Sequence, residues 1–186
     1  MGLPEIYISF ETAAVSAIKR SSRGVAALAI TDATQGGANS AVYRSLSEVD
    51  ESKFTKENYR VLSLCFQAAP SKVAVLRIGS DEADTFTALD TLDFDYLVAP
   101  GLTQAKVISY IKAERAKGRG VKAVVANATA PDDEGIINFC AEDIVLTDGA
   151  VTADNYAARI AGLLAATPLT RSATYAKLGE IVSCGA

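Results

Sequence analysis

The chain has 186 residues, enough for one domain with a buried core; 49% of them are hydrophobic and 22% charged, an ordinary globular mixture. A net charge of −4 argues against a nucleic-acid binder, which needs a basic footprint, and the absence of tryptophan removes the best stacking platform for bases. The histidine count is zero, which excludes Ser-His-Asp and Cys-His nucleophilic sites, histidine acid–base chemistry and the usual zinc sites.

In chain order, residues 5–10 read as a strand, with Ile6, Ile8 and Phe10 alternating with Tyr7 and Ser9. A strand this close to a terminus can pair within its own sheet or add to a neighbour's. The pattern of residues 12–20 does not select helix or strand. Residues 25–30, Val-Ala-Ala-Leu-Ala-Ile between Gly24 and Asp32, suit a buried strand, and residues 35–40 form a loop by composition.

From Thr55 the pattern is regular. Thr55 caps a predicted helix whose Tyr59, Leu62, Phe66 and Ala69 share a face, and residues 72–78 are a Val-rich strand. Ser80 is expected to cap a helix running from Asp81 to about Leu92, with acidic residues at its positive end. Residues 95–99 are a strand closed by Pro100-Gly101. Thr103 caps a helix carrying Val107, Ile108 and Ile111, which Gly118 ends. Residues 121–126 are a strand, Asp133 is expected to cap a short helix through Phe139, and residues 143–146 are a strand before the Asp148-Gly149 turn.

Thr152 caps the last helix, which has two faces. Tyr156, Ile160, Leu163 and Leu164 make a core-facing stripe, while Ala158, Gly162 and Ala166 recur every four residues and let a second backbone come close. Thr167-Pro168 stops it, and the hydroxyl-rich, basic segment 169–175 follows. Strands alternating with helices predict an α/β fold: a Rossmann-like, mostly parallel sheet with helices on both faces, preceded by an extended N-terminal strand arm.

The candidate sites are few. Asp132, Asp133 and Glu134 follow a strand where α/β sheets place ligand crevices, and offer donors for a hard cation such as Mg²⁺; the same residues suit a solvated helix start. Ser16-Ala17-Ile18-Lys19 matches Ser-x-x-Lys without that motif's companion sequences. No phosphate loop is present, and Gly118-Arg119-Gly120 joins a helix to a strand, which suits a C-cap. Cys65, Cys140 and Cys184 are widely spaced and read as buried free thiols. No apolar run is long enough to span a membrane, so no membrane insertion is expected. Arg20, Arg23 and Arg171 lie in Ser/Thr-rich segments outside the regular pattern, where they suit pairing with acidic patches on neighbouring subunits.

Short stretches in a fixed order carry a resemblance. They are Gly-Leu-Pro-Glu-Ile at 2–6, Ser-Ala-Ile-Lys-Arg-Ser at 16–21, Arg-Gly-Val-Ala-Ala-Leu at 23–28, Phe-Thr-Lys-Glu-Asn at 54–58, Ala-Pro-Ser-Lys-Val at 69–73, Tyr-Leu-Val-Ala-Pro-Gly at 96–101, Glu-Gly-Ile-Ile-Asn-Phe at 134–139 and Ala-Arg-Ile-Ala-Gly at 158–162. In that order they resemble the contractile tail sheath proteins of bacteriophages, especially the short sheath type of phage-tail-like particles and R-type bacteriocins. The resemblance implies a non-catalytic structural subunit without a cofactor. It implies partners of two kinds, other sheath subunits in a helical homo-oligomer and an inner tail tube protein. It further implies assembly in the bacterial cytoplasm, residence in a virion tail or phage-tail-like particle, and contraction that drives the tube through a target envelope. In that family terminal arms add strands to neighbouring subunits' sheets, which makes Ile6, Tyr7, Ile8, Phe10, Arg20, Arg23 and Arg171 the subunit-interface candidates. The expected organisation is an arm at 1–20, an α/β core at 21–168, and at 169–186 the start of a C-terminal region that is not present. The alternative is a histidine-free α/β enzyme or ligand-binding module using Asp132, Asp133 and Glu134.

Overall fold

A computed structural model describes residues 24–185 except Gln35, Gly79, Ser80 and Ala130. Its main sheet has six strands: β1 (Val25–Ile30), β2 (Ser40–Tyr43), β3 (Lys72–Arg77), β4 (Tyr96–Val98), β5 (Lys122–Ala126) and β6 (Ile136–Phe139), in the order β2-β3-β1-β4-β5-β6. All neighbours run parallel except the edge strand β2, which pairs antiparallel with β3. Among the described residues four helices cover it: α1 (Lys56–Phe66), α2 (Glu82–Asp90), α3 (Gln104–Ala116) and α4 (Ala153–Ala166).

The side-chain alternation of β1 divides the core into two layers. Ala26, Leu28 and Ile30 join a cluster with Val61, Leu62, Ala157 and Ala161 of α1 and α4. Ala27 and Ala29 join the opposite cluster with Leu89, Val107 and Ile111 of α2 and α3. Both faces of the strand are therefore apolar, as a central parallel strand requires. Each fully buried aliphatic side chain here contributes roughly 1.5–3 kcal/mol. The expected α/β sheet with helices on both faces is present.

Local chemistry explains the helix ends. The Thr55 and Thr152 side chains accept from the Asn58 and Asn155 amides, at 3.2 and 3.3 Å, as expected of N-caps. Helix α2 is capped by Asp81, which accepts from the Ala83 amide at 2.8 Å; Ser80 lies outside the described residues. Thr103 holds the N-cap position of α3 without capping it: its amide and hydroxyl both face Glu82 Oε1 at 3.1 Å, because that carboxylate on α2 is the stronger acceptor. Helix α3 ends as expected at Gly118, whose φ of +88° lets the Gly118 and Arg119 amides turn back onto the Arg115 and Glu114 carbonyls.

Three expectations are corrected. Residues 133–139 do not form a helix. Ile136–Phe139 is a strand parallel to β5, with Ala123 opposite Ile136 and Ala126 opposite Phe139. One helical turn does not repay its nucleation cost, whereas two β-branched isoleucines gain burial and a ladder against β5. The strand is held at its far end by a reciprocal amide clamp: Asn138 bonds both backbone groups of Ala128, and Asn127 bonds both of Ala141. The second correction concerns α4. Tyr156 is fully buried, but Ile160, Leu163 and Leu164 are only half-buried, and the deepest face is made of Ala157, Ala158, Ala161, Gly162 and Ala165. Small side chains let this helix lie close to its neighbours. Third, only Cys65 is a buried thiol; Cys140 and Cys184 are exposed. Burial pushes the Cys65 thiol up to about 12.

A second sheet, antiparallel and three-stranded, follows the main one: β7 (Glu142–Leu146) lies between β8 (Gly149–Val151) and β9 (Ile181–Gly185). Strands β2, β8 and β9 are not anticipated from the sequence, because none of their residues is buried and no apolar run marks them.

Gly162 faces α1 directly. A Cβ built there would run into the Cys65 carbonyl, so glycine is required by close approach and not by φ. Gly162→Ala should therefore force α1 and α4 apart, costing about 2 kcal/mol and lowering the melting temperature by about 6 °C. An unchanged melting curve by circular dichroism would refute the close contact.

Candidate functional site

The strand order changes direction at β1: the chain passes to β3 on one side, then to β4 on the other. An open α/β sheet places its ligand crevice at the carboxyl ends of such strands. Here the polar groups after β1 and β3 are bonded to one another, beside an open cleft of about 500 Å³ lined by Asp32, Thr34 and Arg77 among others. The Asp32 side chain just after β1 is wholly buried. It accepts from the Thr34 amide at 2.8 Å, the Thr55 amide at 2.9 Å and Asn58 Nδ2 at 2.7 Å, with Arg77 Nη1 at 3.5 Å. Arg77 donates to the carbonyls of Thr34 and Lys53 and lies 5.0 Å over the Phe54 ring. Burial alone would raise the Asp32 carboxyl; the bonds from Asn58, Thr55 and Thr34 outweigh it and hold the group well below the usual carboxylate range. This carboxylate anchors the start of α1 and has no capacity left for proton transfer.

The acidic trio is not at the crevice. Because residues 136–139 are a strand parallel to β5, the chain must return to the amino edge of the sheet before β6 begins, and it carries Asp133 and Glu134 there. Glu134 pairs with Arg115 at 2.5 Å, and Asp133 lies 4.0 Å from Arg115 while accepting from the Gly135 amide at 2.8 Å. Among the described residues no three acidic or cysteine side chains converge as a cation site. The carboxylate-based reading of Asp132, Asp133 and Glu134 thus loses its position, and Asp133 and Glu134 are drawn to Arg115.

Of the interface candidates, Ile6, Tyr7, Ile8, Phe10, Arg20 and Arg23 lie outside the described residues, as do Ser16 and Lys19. Arg171 is exposed on the turn after α4, where its amide donates to the Pro168 carbonyl at 2.9 Å. The fully exposed Leu169 and Tyr175 flank it.

The small sheet is the feature that sequence reasoning missed. Two arginines tie it to the helices. Arg60 of α1 forks onto the β7–β8 turn: Nε and Nη2 meet the two Asp148 oxygens at 3.0 and 2.7 Å, Nη2 also donates to the Gly149 carbonyl at 2.8 Å, and Nη1 donates to the Ala150 carbonyl at 2.6 Å. Arg159 of α4, only 7% exposed, donates from Nε to Glu180 Oε1 at 2.6 Å, and the Tyr156 hydroxyl meets the same oxygen at 2.8 Å. Glu180 immediately precedes β9, so this triad docks the last strand against α4. Burial opposes ionisation of Glu180, but its own amide, Tyr156 and Arg159 prevail and hold its carboxyl below the ordinary range; burial and the Glu180 contact raise the Tyr156 hydroxyl. The available signal was Arg159 itself. A cation between Tyr156 and Ile160 on an otherwise apolar helix needs a buried partner.

With β8 and β9 flanking β7, each outer strand is paired on one side only among the described residues. Val182 of β9 is 65% exposed. The site offers strand edges, with one exposed thiol, Cys184, on β9.

Comparison with known proteins agrees with this character. A family model described as the phage tail sheath protein central domain matches residues 79–183. A curated tail sheath protein of Clostridium phage phiCD119 is 34% identical over 198 residues, an alignment covering 98% of this chain and 53% of that protein. The chain thus spans about half the length of the curated relative it matches. Among solved structures, the sheath tail protein of Listeria innocua superposes with a TM-score of 0.74 at 17% identity, covering 96% of this chain and 64% of that one. The sheath tail protein of Desulfitobacterium hafniense gives 0.72 at 14% identity, covering 87% and 63%. The contracted helical sheath of the anti-feeding prophage gives 0.55 at 13% identity, covering 75% and 44%. These three share the fold.

The triad yields a test. Glu180→Ala leaves Arg159 buried without its partner and should cost about 3 kcal/mol in urea unfolding. Because the Glu180 carboxyl is held low, its contribution is present above the ordinary carboxylate range and is lost as pH falls through the lowered value. The stability gap between the native chain and Glu180→Gln should therefore narrow on acidification. A gap independent of pH would show that the ion pair does not hold the strand.

Proposed function

The chain belongs to the phage tail sheath protein family, and on that premise we propose that it is a structural subunit of a contractile sheath. Subunits of this kind polymerise helically around an inner tail tube and contract to drive the tube through a target cell envelope. The supporting observation is the family match over residues 79–183, a span that includes the small sheet with its two one-sided edges. Its place is a virion tail or phage-tail-like particle, assembled in the bacterial cytoplasm. The reading is of a structural and not a catalytic subunit, and it is supported by the absence of histidine and by the bonds that engage Asp32 and Glu134.

In this reading residues 1–20 are an arm and the α/β core presents the receiving surface. Residues Ile6, Tyr7, Ile8 and Phe10 of one subunit add a strand to a neighbour's small sheet, where main-chain bonds supply affinity and alternate side chains supply specificity. Arg20, Arg23 and Arg171 pair with acidic patches on adjoining subunits. Residues beyond Pro168 lead away from α4 through the exposed turn at Arg171 toward the last strand and the lattice contacts.

The arm can be tested without the rest of the particle. Ile8→Pro removes one backbone donor and breaks strand pairing at the arm. Sedimentation velocity should show concentration-dependent small oligomers for the native chain and a monomer for the variant, with equal melting temperatures. Equal association of both chains would refute strand exchange through the arm.

A further inference from the structure

We infer that the Asp148–Gly149 bond at the β7–β8 turn is a site of spontaneous covalent rearrangement to isoaspartate, and that Arg60 of α1 slows the reaction by gripping the Asp148 carboxylate. This inference does not depend on the role proposed for the assembled particle.

The reaction is intramolecular. The Gly149 amide nitrogen attacks the side-chain carboxyl carbon of Asp148, and the carboxyl hydroxyl leaves with the amide proton as water, closing a five-membered succinimide. Water then opens the ring. Addition at the side-chain carbonyl restores aspartate. Addition at the main-chain carbonyl leaves the backbone running through the Asp148 side chain, one methylene longer than before. No oxidant or further reactant is needed. Glycine favours the first step because it has no Cβ to shield its nitrogen. Asp148 is the only aspartate followed by glycine in the sequence, and no asparagine is followed by glycine. The turn also suits the chemistry. Asp148 ends the two-residue turn Thr147-Asp148, and its side chain is 60% exposed to the water that ring opening needs. Gly149 has a φ of +121°, which glycine adopts freely.

Arg60 opposes each requirement of the ring closure. Its Nε and Nη2 meet the two carboxylate oxygens at 3.0 and 2.7 Å, so the carboxyl carbon cannot turn onto the Gly149 nitrogen without giving up both bonds. Nη2 and Nη1 also donate to the Gly149 and Ala150 carbonyls at 2.8 and 2.6 Å, which fixes the main chain just after that nitrogen. Closure further needs the carboxyl in its acid form, since a carboxylate has no hydroxyl to lose. The Arg60 bond holds the Asp148 carboxyl below the ordinary range and keeps it ionised. What the grip protects is the register of the hairpin. One added methylene would put Gly149, Ala150 and Val151 out of step with Leu146, Val145 and Ile144, so rearrangement at this single bond would unpair β8 from β7.

Ageing the purified chain in neutral buffer at physiological temperature tests the assignment. Isoaspartate at 148 is read by peptide mapping, since the altered peptide separates by chromatography at unchanged mass and resists a protease that cuts at aspartate. A synthetic peptide of residues 143–154 gives the unguarded rate. The native chain should react about ten-fold more slowly than the peptide, equivalent to ~1.4 kcal/mol in the barrier. Arg60→Ala should raise the native rate about five-fold, equivalent to ~1 kcal/mol. Arg60→Lys keeps the charge without the fork and should also raise it, which covers the case in which Arg60→Ala lowers stability. Glu180→Ala frees the same sheet from α4 without touching Asp148 and should leave the rate unchanged. No isoaspartate at 148 in the native chain or the Arg60 variants, once the peptide has converted, overturns the site. A rate that neither Arg60 substitution raises, or that Glu180→Ala raises as much as Arg60→Ala does, overturns the role of Arg60.

Discussion

The Cys65 carbonyl occupies the space where a side chain at residue 162 would stand, and the architecture on that face of the sheet follows from it. With glycine at the contact and alanine at 157, 158, 161 and 165, α4 lies against α1 and the sheet together. That depth is what carries Tyr156 and Arg159 inside, and with them the docking point of the last strand. A larger residue at 162 would displace the helix and the small sheet that hangs from it.

Enclosed charges in this fold act as pins. Asp32 joins the end of β1 to the start of α1, and Glu180 joins the approach to β9 to α4 through Arg159 and Tyr156. Each is surrounded by donors, as a buried carboxylate must be. The more exposed Arg60 holds the β7–β8 turn in the same manner. Groups bound in this way hold the elements in position.

The parallel sheet is flanked on both sides, while among the described residues the outer strands of the small sheet pair on one side only. Natural proteins seldom leave a flat, uncharged edge uncovered.

Much of this was legible in the chain itself. The doubly apolar run 25–30, the Val-rich run 72–77, the Thr55 and Thr152 caps, the Gly118 stop and the small-residue repeat at 158 and 162 each report a local or short-range requirement, and a local pattern is enough to read them. Absence of histidine removed most catalytic classes before any fold was known. What only tertiary structure decided is non-local. Residues 136–139 became a strand because β5 offered an edge, and that moved the acidic trio to the opposite end of the sheet. The strands at 149–151 and 181–185 bury no residue that would mark them in the sequence, and exist because β7 pairs with both. Arg60 meets a turn 88 positions away and Arg159 a carboxylate 21 positions away. Spacing along the chain holds no record of such pairings, since they depend on where packed helices bring their polar ends.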